Sequence, residues 1–247
     1  MNAAFFEQSW WMVFLGGILG IVSIMMPLPY GRYAPNVWWS ISPNVAWVLQ
    51  GLPSVLVPLY YCFESDTDLG LIFNVIFVYH YLKRIFSYAA QLNSGHYVPI
   101  PVFLISTYFS YYNSMLQASY NAMFQPNMEM LPFSRWFTLV GGVCLVVVGH
   151  LITMNAECYL LDLRKRDNTA YYIPRSALFE TISCPNYLGE IIEWTGYAIA
   201  TQSVPAAAFA IFTIFLLVPR AYTHHDFYVT KFRSYPKDRK ALIPYIF

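Results

Sequence analysis

The sequence predicts an all-α integral membrane protein of about seven transmembrane helices. Three observations predict it. The chain has 247 residues, of which 57% are hydrophobic and only 11% charged, whereas a soluble domain carries about a quarter charged residues. Mean hydropathy is +0.44. Long apolar runs recur along the whole chain, and a bilayer-crossing helix needs about 20 mostly apolar residues. Aromatics reach 19%, which suits bilayer interfaces and large apolar pockets. The length fits one domain spanning 1–247, with little left for a soluble module.

The runs lie near 9–29, 44–63, 69–90, 98–118, 136–160, 186–203 and 204–220. The first holds "GGILG" and has no basic segment before it, so it reads as a retained span and not as a cleaved leader. The second holds "AWVLQGLPS" and the third "HYLKRIFSY". The fifth carries Gly141, Gly142 and Gly149, which with "GGILG" read as small-residue packing positions. The last two runs are short and meet at "TQSVP", so six is the alternative count.

Orientation follows from the basic residues. Arg164, Lys165, Arg166 and Arg175 lie between the fifth and sixth runs, and Lys231, Arg233, Lys237, Arg239 and Lys240 lie in the tail. Two spans separate these segments, so they share a side, and the positive-inside rule makes it cytoplasmic. Glu64, Asp66 and Asp68 then face outward, as does the N-terminus if the count is seven; Arg135 is a mild exception. The expected location is a multi-pass inner bacterial or endoplasmic-reticulum membrane, where lipid is a partner. Net charge is +1, so no broad basic surface points to nucleic acid. Cys62, Cys144, Cys158 and Cys184 form no CxxC and read as buried small hydrophobes.

Ionisable residues at membrane depth are costly and usually face a cavity or a partner. Here they form stripes. Asn186, Glu190 and Glu193 share a face by i, i+4, i+7 spacing. His150, Glu157 and Arg164 recur every seven residues; Tyr81, Arg84 and Tyr88 share a face; so do Arg220, His224, Tyr228 and Lys231. Any one stripe could be an interhelical ion pair. Four stripes crowding toward one membrane side suit a large, anionic, hydrogen-bond-rich ligand such as a dinucleotide. Cations would hold phosphates, and carboxylates and amides would hold ribose hydroxyls and a base edge. No GxGxxG or GxxxxGK[ST] occurs, so such a ligand would sit inside a helical bundle. No metal site is expected, because His80, His96 and His150 show no ligand spacing with His224 and His225. Nothing marks a catalytic nucleophile.

The segments "NYLGEIIEWTGYAIAT" and "RAYTHHDFYVTKFRSYPKDRKALIPYIF" strongly resemble the C-terminal region of steroid 5α-reductases. "AWVLQGLPS" and "HYLKRIFSY" resemble that family's Trp-x-x-Gln-Glu-Leu-Pro-Ser and His-Tyr-x-x-Arg-x-x-x-Tyr segments. The resemblance implies seven helices around a cavity, with a cofactor-binding half from about 98 to 247. It implies NADPH bound near the cytoplasmic side and reduction of the 4,5 double bond of a 3-oxo-Δ4 steroid. By matching positions, Asn186, Glu190, Glu157, Arg164, Tyr171, Arg220, His224 and Tyr228 would line the NADPH site, with Asn93 a looser match. Gln50 and Tyr81 would face the steroid, with Trp47, Phe109 and Asn113 around it. Glu193 is expected to pair with a basic residue on a neighbouring helix. Hydride addition to an enone builds negative charge on the carbonyl oxygen, which a phenol such as Tyr81 can stabilise in a dry pocket.

One departure stands out. Where the family has Gln-Glu, this chain has Gln50-Gly51. Three readings stay open: Tyr81 and Gln50 suffice, with or without a water in place of the carboxyl; the substrate is another enone; or Gly51 was introduced in place of a Glu. Competing assignments are a reductase of another membrane enone or enoyl substrate, an isoprenylcysteine-type membrane methyltransferase, and a non-catalytic sterol-binding protein. The Arg164–Arg166 cations and the long tail speak against the methyltransferase, whose cofactor carries no phosphate. Oligomeric state leaves no mark in the sequence.

Overall fold

The computed structural model describes residues 3–35, 37–89, 97–166 and 171–247. α1 spans Ala3–Met25 and starts earlier than the apolar run. It stops at Met25 because Pro27 and Pro29 follow, and a residue before proline is pushed out of the helical region. α2 (Pro43–Gly51) and α3 (Pro53–Phe63) form one nearly continuous rod. The joint is Leu52, itself right-handed helical, and Pro53 interrupts the backbone bonding because it has no N–H. α4 (Asp68–Lys83) is capped by Thr67, whose hydroxyl accepts from the Gly70 N–H at 3.2 Å. It runs on as a π-helical segment, Arg84–Ala89.

Two short strands, β1 (Ser40–Ile41) and β2 (Val98–Pro99), pair antiparallel and tie the entry to α2 to the entry to α5. α5 (Ile100–Phe124) and α6 (Phe133–Arg166) follow. α7 (Pro185–Thr201) ends on Gln202, whose φ is +50°. Ser203 then caps α8 (Val204–Lys231) by accepting from the Ala206 N–H at 3.1 Å. "TQSVP" is therefore a real break between two helices. α8 reaches eleven residues past its apolar run and carries the whole Arg220–Lys231 stripe.

An all-α membrane protein is what the chain forms. Among the described residues, five helices are long and apolar enough to cross a bilayer: Ala3–Met25, Pro43–Phe63, Asp68–Phe86, Phe133–Arg164 and Val204–Lys231. α5 and α7 fall short of the expected seven. α5 buries Asn113, Gln117 and Asn121, and α7 has 17 residues with Glu190 and Glu193 buried among them. Polar residues on these two helices lower their hydropathy because those faces serve the bundle interior.

Close glycine contacts join the bundle. A Cβ at Gly149 would lie 2.4 Å from the Glu193 nitrogen, and one at Gly142 would lie 2.5 Å from the Ala200 nitrogen. α6 and α7 thus touch backbone to backbone, and the packing role read for Gly142 and Gly149 holds. Gly141 has nothing within 4 Å, so it does not share that role. Gly16 and Gly20 of "GGILG" meet Phe212 and Phe215 of α8. Phe73, Phe77, Trp194, Tyr197 and Phe209 form the central core. The tail folds back on the turn before α7: Ser183 N–H donates to Lys240 O at 2.8 Å, and Lys240 N–H to Thr181 O at 2.9 Å. The cysteines depart from expectation. Only Cys184 is buried, whereas Cys144 and Cys158 are exposed on α6.

Candidate active site

α2, α4 and α5 enclose a cavity of about 170 Å³. α2 contributes Trp47, Gln50 and Gly51; α5 contributes Phe109, Ser110 and Asn113; Tyr81, Arg84 and Ile85 enter where α4 becomes π-helical. All five residues expected around the steroid, Gln50, Tyr81, Trp47, Phe109 and Asn113, line this one space. The Tyr81 phenol lies beside the side chains of Ser54 and Asn113. Behind it lies a hydroxyl cluster unmarked in the sequence. Ser54 and Ser110 are 2.6 Å apart, and Ser114 donates to Ser54 at 3.0 Å.

Gly51 has no left-handed φ that would demand glycine. Space demands it. A Cβ there would lie 2.7 Å from Cγ1 and 2.8 Å from Cδ1 of Ile85. The apolar Ile85 side chain occupies the room that a side chain at position 51 would need.

Arg84 joins this cavity to α7. Its guanidinium lies 5.5 Å from the Trp47 ring centre and forms an ion pair with Glu190. Glu190 also accepts from Trp194 Nε1 at 3.0 Å, and it is buried. Glu190 is therefore held by Arg84 and Trp194. Its stripe neighbour Glu193 meets two histidines and no arginine or lysine among the described residues: Oε1 lies 2.7 Å from His80 Nδ1 and 3.1 Å from His150 Nδ1. The expected basic partner is thus a histidine pair. Asn186, at the start of α7, accepts at its carbonyl from Thr153 Oγ1 at 3.2 Å.

A second polar cluster lies between α7, α8 and the segment after α1. Arg220 Nε donates to the Tyr187 hydroxyl at 2.9 Å, and His224 Nε2 lies 3.0 Å from the same oxygen. The Arg220 guanidinium sits 3.7 Å over the Tyr30 ring, and Tyr33 stacks on His224 with ring centres 5.9 Å apart. Gly31, at φ +62°, lets the chain turn beside Arg220. Desolvation raises the Tyr30 phenol above its ordinary pKa, against the lowering effect of the Arg220 and Arg84 cations. Arg220 is 8% exposed, and among the described residues its contacts are phenols and ring faces, with no carboxylate.

The remaining expected residues are more scattered. Tyr228 is buried and stacks on Tyr235 of the tail, 5.5 Å between centres. Tyr171 packs against Phe227, with Lys231 4.4 Å from its ring centre. Arg164 is exposed and Glu157 half-buried on α6. Asn93 lies outside the described residues. Sequence reasoning missed Tyr30, Tyr33, Tyr187, Ser54, Ser110, Trp194 and Ile85. Phenols and serines in an aromatic-rich chain carry no periodic signal, and Tyr30 and Tyr33 join from a segment remote in sequence.

The geometry just described can be set beside known proteins. The sequence profile described as 3-oxo-5-alpha-steroid 4-dehydrogenase matches residues 96–247. The chain belongs to this family. The rat 3-oxo-5-alpha-steroid 4-dehydrogenase 1 is 36% identical over 249 residues, covering 95% of this chain and 94% of the relative. The rat 3-oxo-5-alpha-steroid 4-dehydrogenase 2 is 39% identical over 237 residues, covering 92% and 91%. The human form 2 is 37% identical, covering 93% and 92%. As a member of the 3-oxo-5-alpha-steroid 4-dehydrogenase family, the chain is an oxidoreductase acting on CH–CH bonds.

Proposed function

We propose that the protein reduces the 4,5 double bond of a 3-oxo-Δ4 steroid held in the α2–α4–α5 cavity, with NADPH as cofactor. The observation that carries the reading is Tyr81. Its phenol stands in a cavity lined by Trp47 and Phe109, beside Ser54 and Asn113 and next to the Arg84 cation. That is a preorganised donor aimed where an enone oxygen gains charge.

The fit of a phosphate-bearing cofactor rests on Arg220. A buried guanidinium without a carboxylate has lost water and gained no counter-ion, which is costly unless an anion joins it. Arg220 and His224 would hold phosphate there, with Tyr187 fixing both. Asn186, Glu157, Arg164, Tyr171 and Tyr228, with Asn93, would complete the cofactor site. Glu190 would orient Arg84 between cofactor and steroid. NADPH, when bound, supplies the hydride for the β-carbon of the enone. Tyr81 donates its O–H to the steroid 3-oxo group as negative charge builds, and Gln50 steadies the same end of the substrate. Trp47 and Phe109 exclude water and orient the rings, while Asn113 holds the phenol. The α-carbon would then take a proton from water, so that hydride and proton together saturate the 4,5 bond.

α5 and α7 complete seven crossings in this reading, with their polar faces inward. The N-terminus is then outside, and the C-terminus and NADPH site are cytoplasmic. The other parts of the molecule serve as one domain.

A second reading, reduction of another membrane enone, is favoured by Gly51 and Ile85, which leave an apolar wall where the family pattern has a carboxyl. Purified protein given testosterone or progesterone with NADPH tests both. Saturated 5α product supports the first reading. Tight NADPH binding without steroid turnover selects the second, and no nucleotide binding overturns both.

A further inference from the structure

The buried cluster at Glu193 lies outside the machinery proposed above. His80 comes from α4, His150 from α6 and Glu193 from α7. One nitrogen of each imidazole and one carboxylate oxygen lie within 4.8 Å of one another. Both Nδ1 atoms address the same oxygen, Oε1, at 2.7 and 3.1 Å.

Two features go unexplained by hydrogen bonding alone. Glu193 is 2% exposed, and its second oxygen, Oε2, has no partner; nor has His150 Nε2. A buried carboxylate oxygen left unpaired is costly. A divalent cation held by both Glu193 oxygens would give Oε2 its partner.

We propose that His80, His150 and Glu193 form a site for a divalent transition-metal ion of the Zn²⁺ class. The donor set selects the ion. Two imidazole nitrogens and one carboxylate suit zinc and its neighbours, whereas Mg²⁺ and Ca²⁺ require oxygen-dominated shells. Zinc bonds of about 2.0–2.1 Å place tetrahedral ligands about 3.3 Å apart. The two His–Glu edges, 2.7 and 3.1 Å, lie near that separation, and the His–His edge, within 4.8 Å, closes to it by side-chain rotation. A fourth position remains for a water or another small ligand. His150, whose side chain is 15% exposed, marks the more accessible edge of the site. The ion would tie three helices together. It would also sit beside the cavity, because His80 precedes Tyr81 in α4 and Glu193 lies one turn after Glu190 in α7.

Direct metal binding tests the proposal without relying on turnover. The full chain, purified in detergent and stripped with a chelator, is titrated with Zn²⁺ against a chromophoric competitor and with Co²⁺ by visible absorption. One equivalent should bind with micromolar or tighter affinity, and Co²⁺ should give the intense bands of a four-coordinate site. His150→Asn keeps a donor to Glu193 but not a zinc ligand, so it should weaken binding at least tenfold while melting like the parent without metal. His150→Cys should restore binding with a sulfur-to-cobalt band, and His225→Ala should change nothing. No stoichiometric binding, or equal affinity in the parent and His150→Asn, overturns the proposal and leaves the cluster as a charged hydrogen-bond network.

Discussion

Placing a carboxyl at position 51 probes the cavity most directly. Gly51→Glu puts a Cβ 2.7–2.8 Å from the Ile85 side chain, where ordinary contact begins near 3.4 Å. Ile85 is 6% exposed, and its side chain must shift to make room. Overpacking of this kind costs about 1–3 kcal/mol. Removing glycine from a helix returns about 1 kcal/mol. The single variant should therefore melt lower, by about 0–2 kcal/mol net. Gly51→Glu with Ile85→Ala opens the space, and the carboxyl then reaches the Tyr81 side of the cavity beside Arg84. One well-placed polar group at a developing oxyanion is worth about 100-fold or more in kcat. The double variant should exceed Ile85→Ala in turnover of a 3-oxo-Δ4 steroid by at least about tenfold, a conservative share of that. The assay is NADPH oxidation with product identification, alongside thermal melts of all four proteins. The argument is refuted if Gly51→Glu alone melts above the parent, or if the double variant gains nothing over Ile85→Ala.

Four further outcomes follow from the same structure. Tyr81→Phe should cut kcat by about 100-fold or more in a protein that still folds, since the ring stays and only the donor goes; an equal rate removes Tyr81 from the chemistry. Arg220→Met should split two readouts, raising the melting temperature without cofactor while lowering NADPH affinity at least tenfold by direct titration. That sign pattern follows from relieving an uncompensated buried charge, and a loss of both contradicts it. Gly149→Ala places a methyl 2.4 Å from the Glu193 nitrogen, forces α6 and α7 apart, and should destabilise by more than about 2 kcal/mol in reversible unfolding. Gly141→Ala on the same helix should be near neutral. Trp194→Phe removes the donor to Glu190 and should cost about 1–3 kcal/mol of stability, with NADPH affinity reporting whether Glu190 also orients the cofactor side.

The sequence by itself determined the class of molecule and much of its site vocabulary. Apolar runs of bilayer length leave little choice of architecture, because a backbone in lipid must satisfy its own hydrogen bonds within helices. Helical spacing also put Glu190 and Glu193 on one face, and "TQSVP" gave the α7–α8 break. Helical periodicity does not say which neighbour a face meets. Glu190 meets Arg84 and Trp194, whereas Glu193, one turn away, meets His80 and His150, because α4 and α6 approach α7 at different points. The histidines stand 70 positions apart and lie 113 and 43 positions from Glu193, so no local pattern announces their convergence. Gly51 is the sharpest case. The sequence marks a missing carboxyl, but only the packing of α2 against the π-helical turn of α4 reveals that Ile85 fills the space, since van der Waals exclusion is a property of neighbours in space and not along the chain.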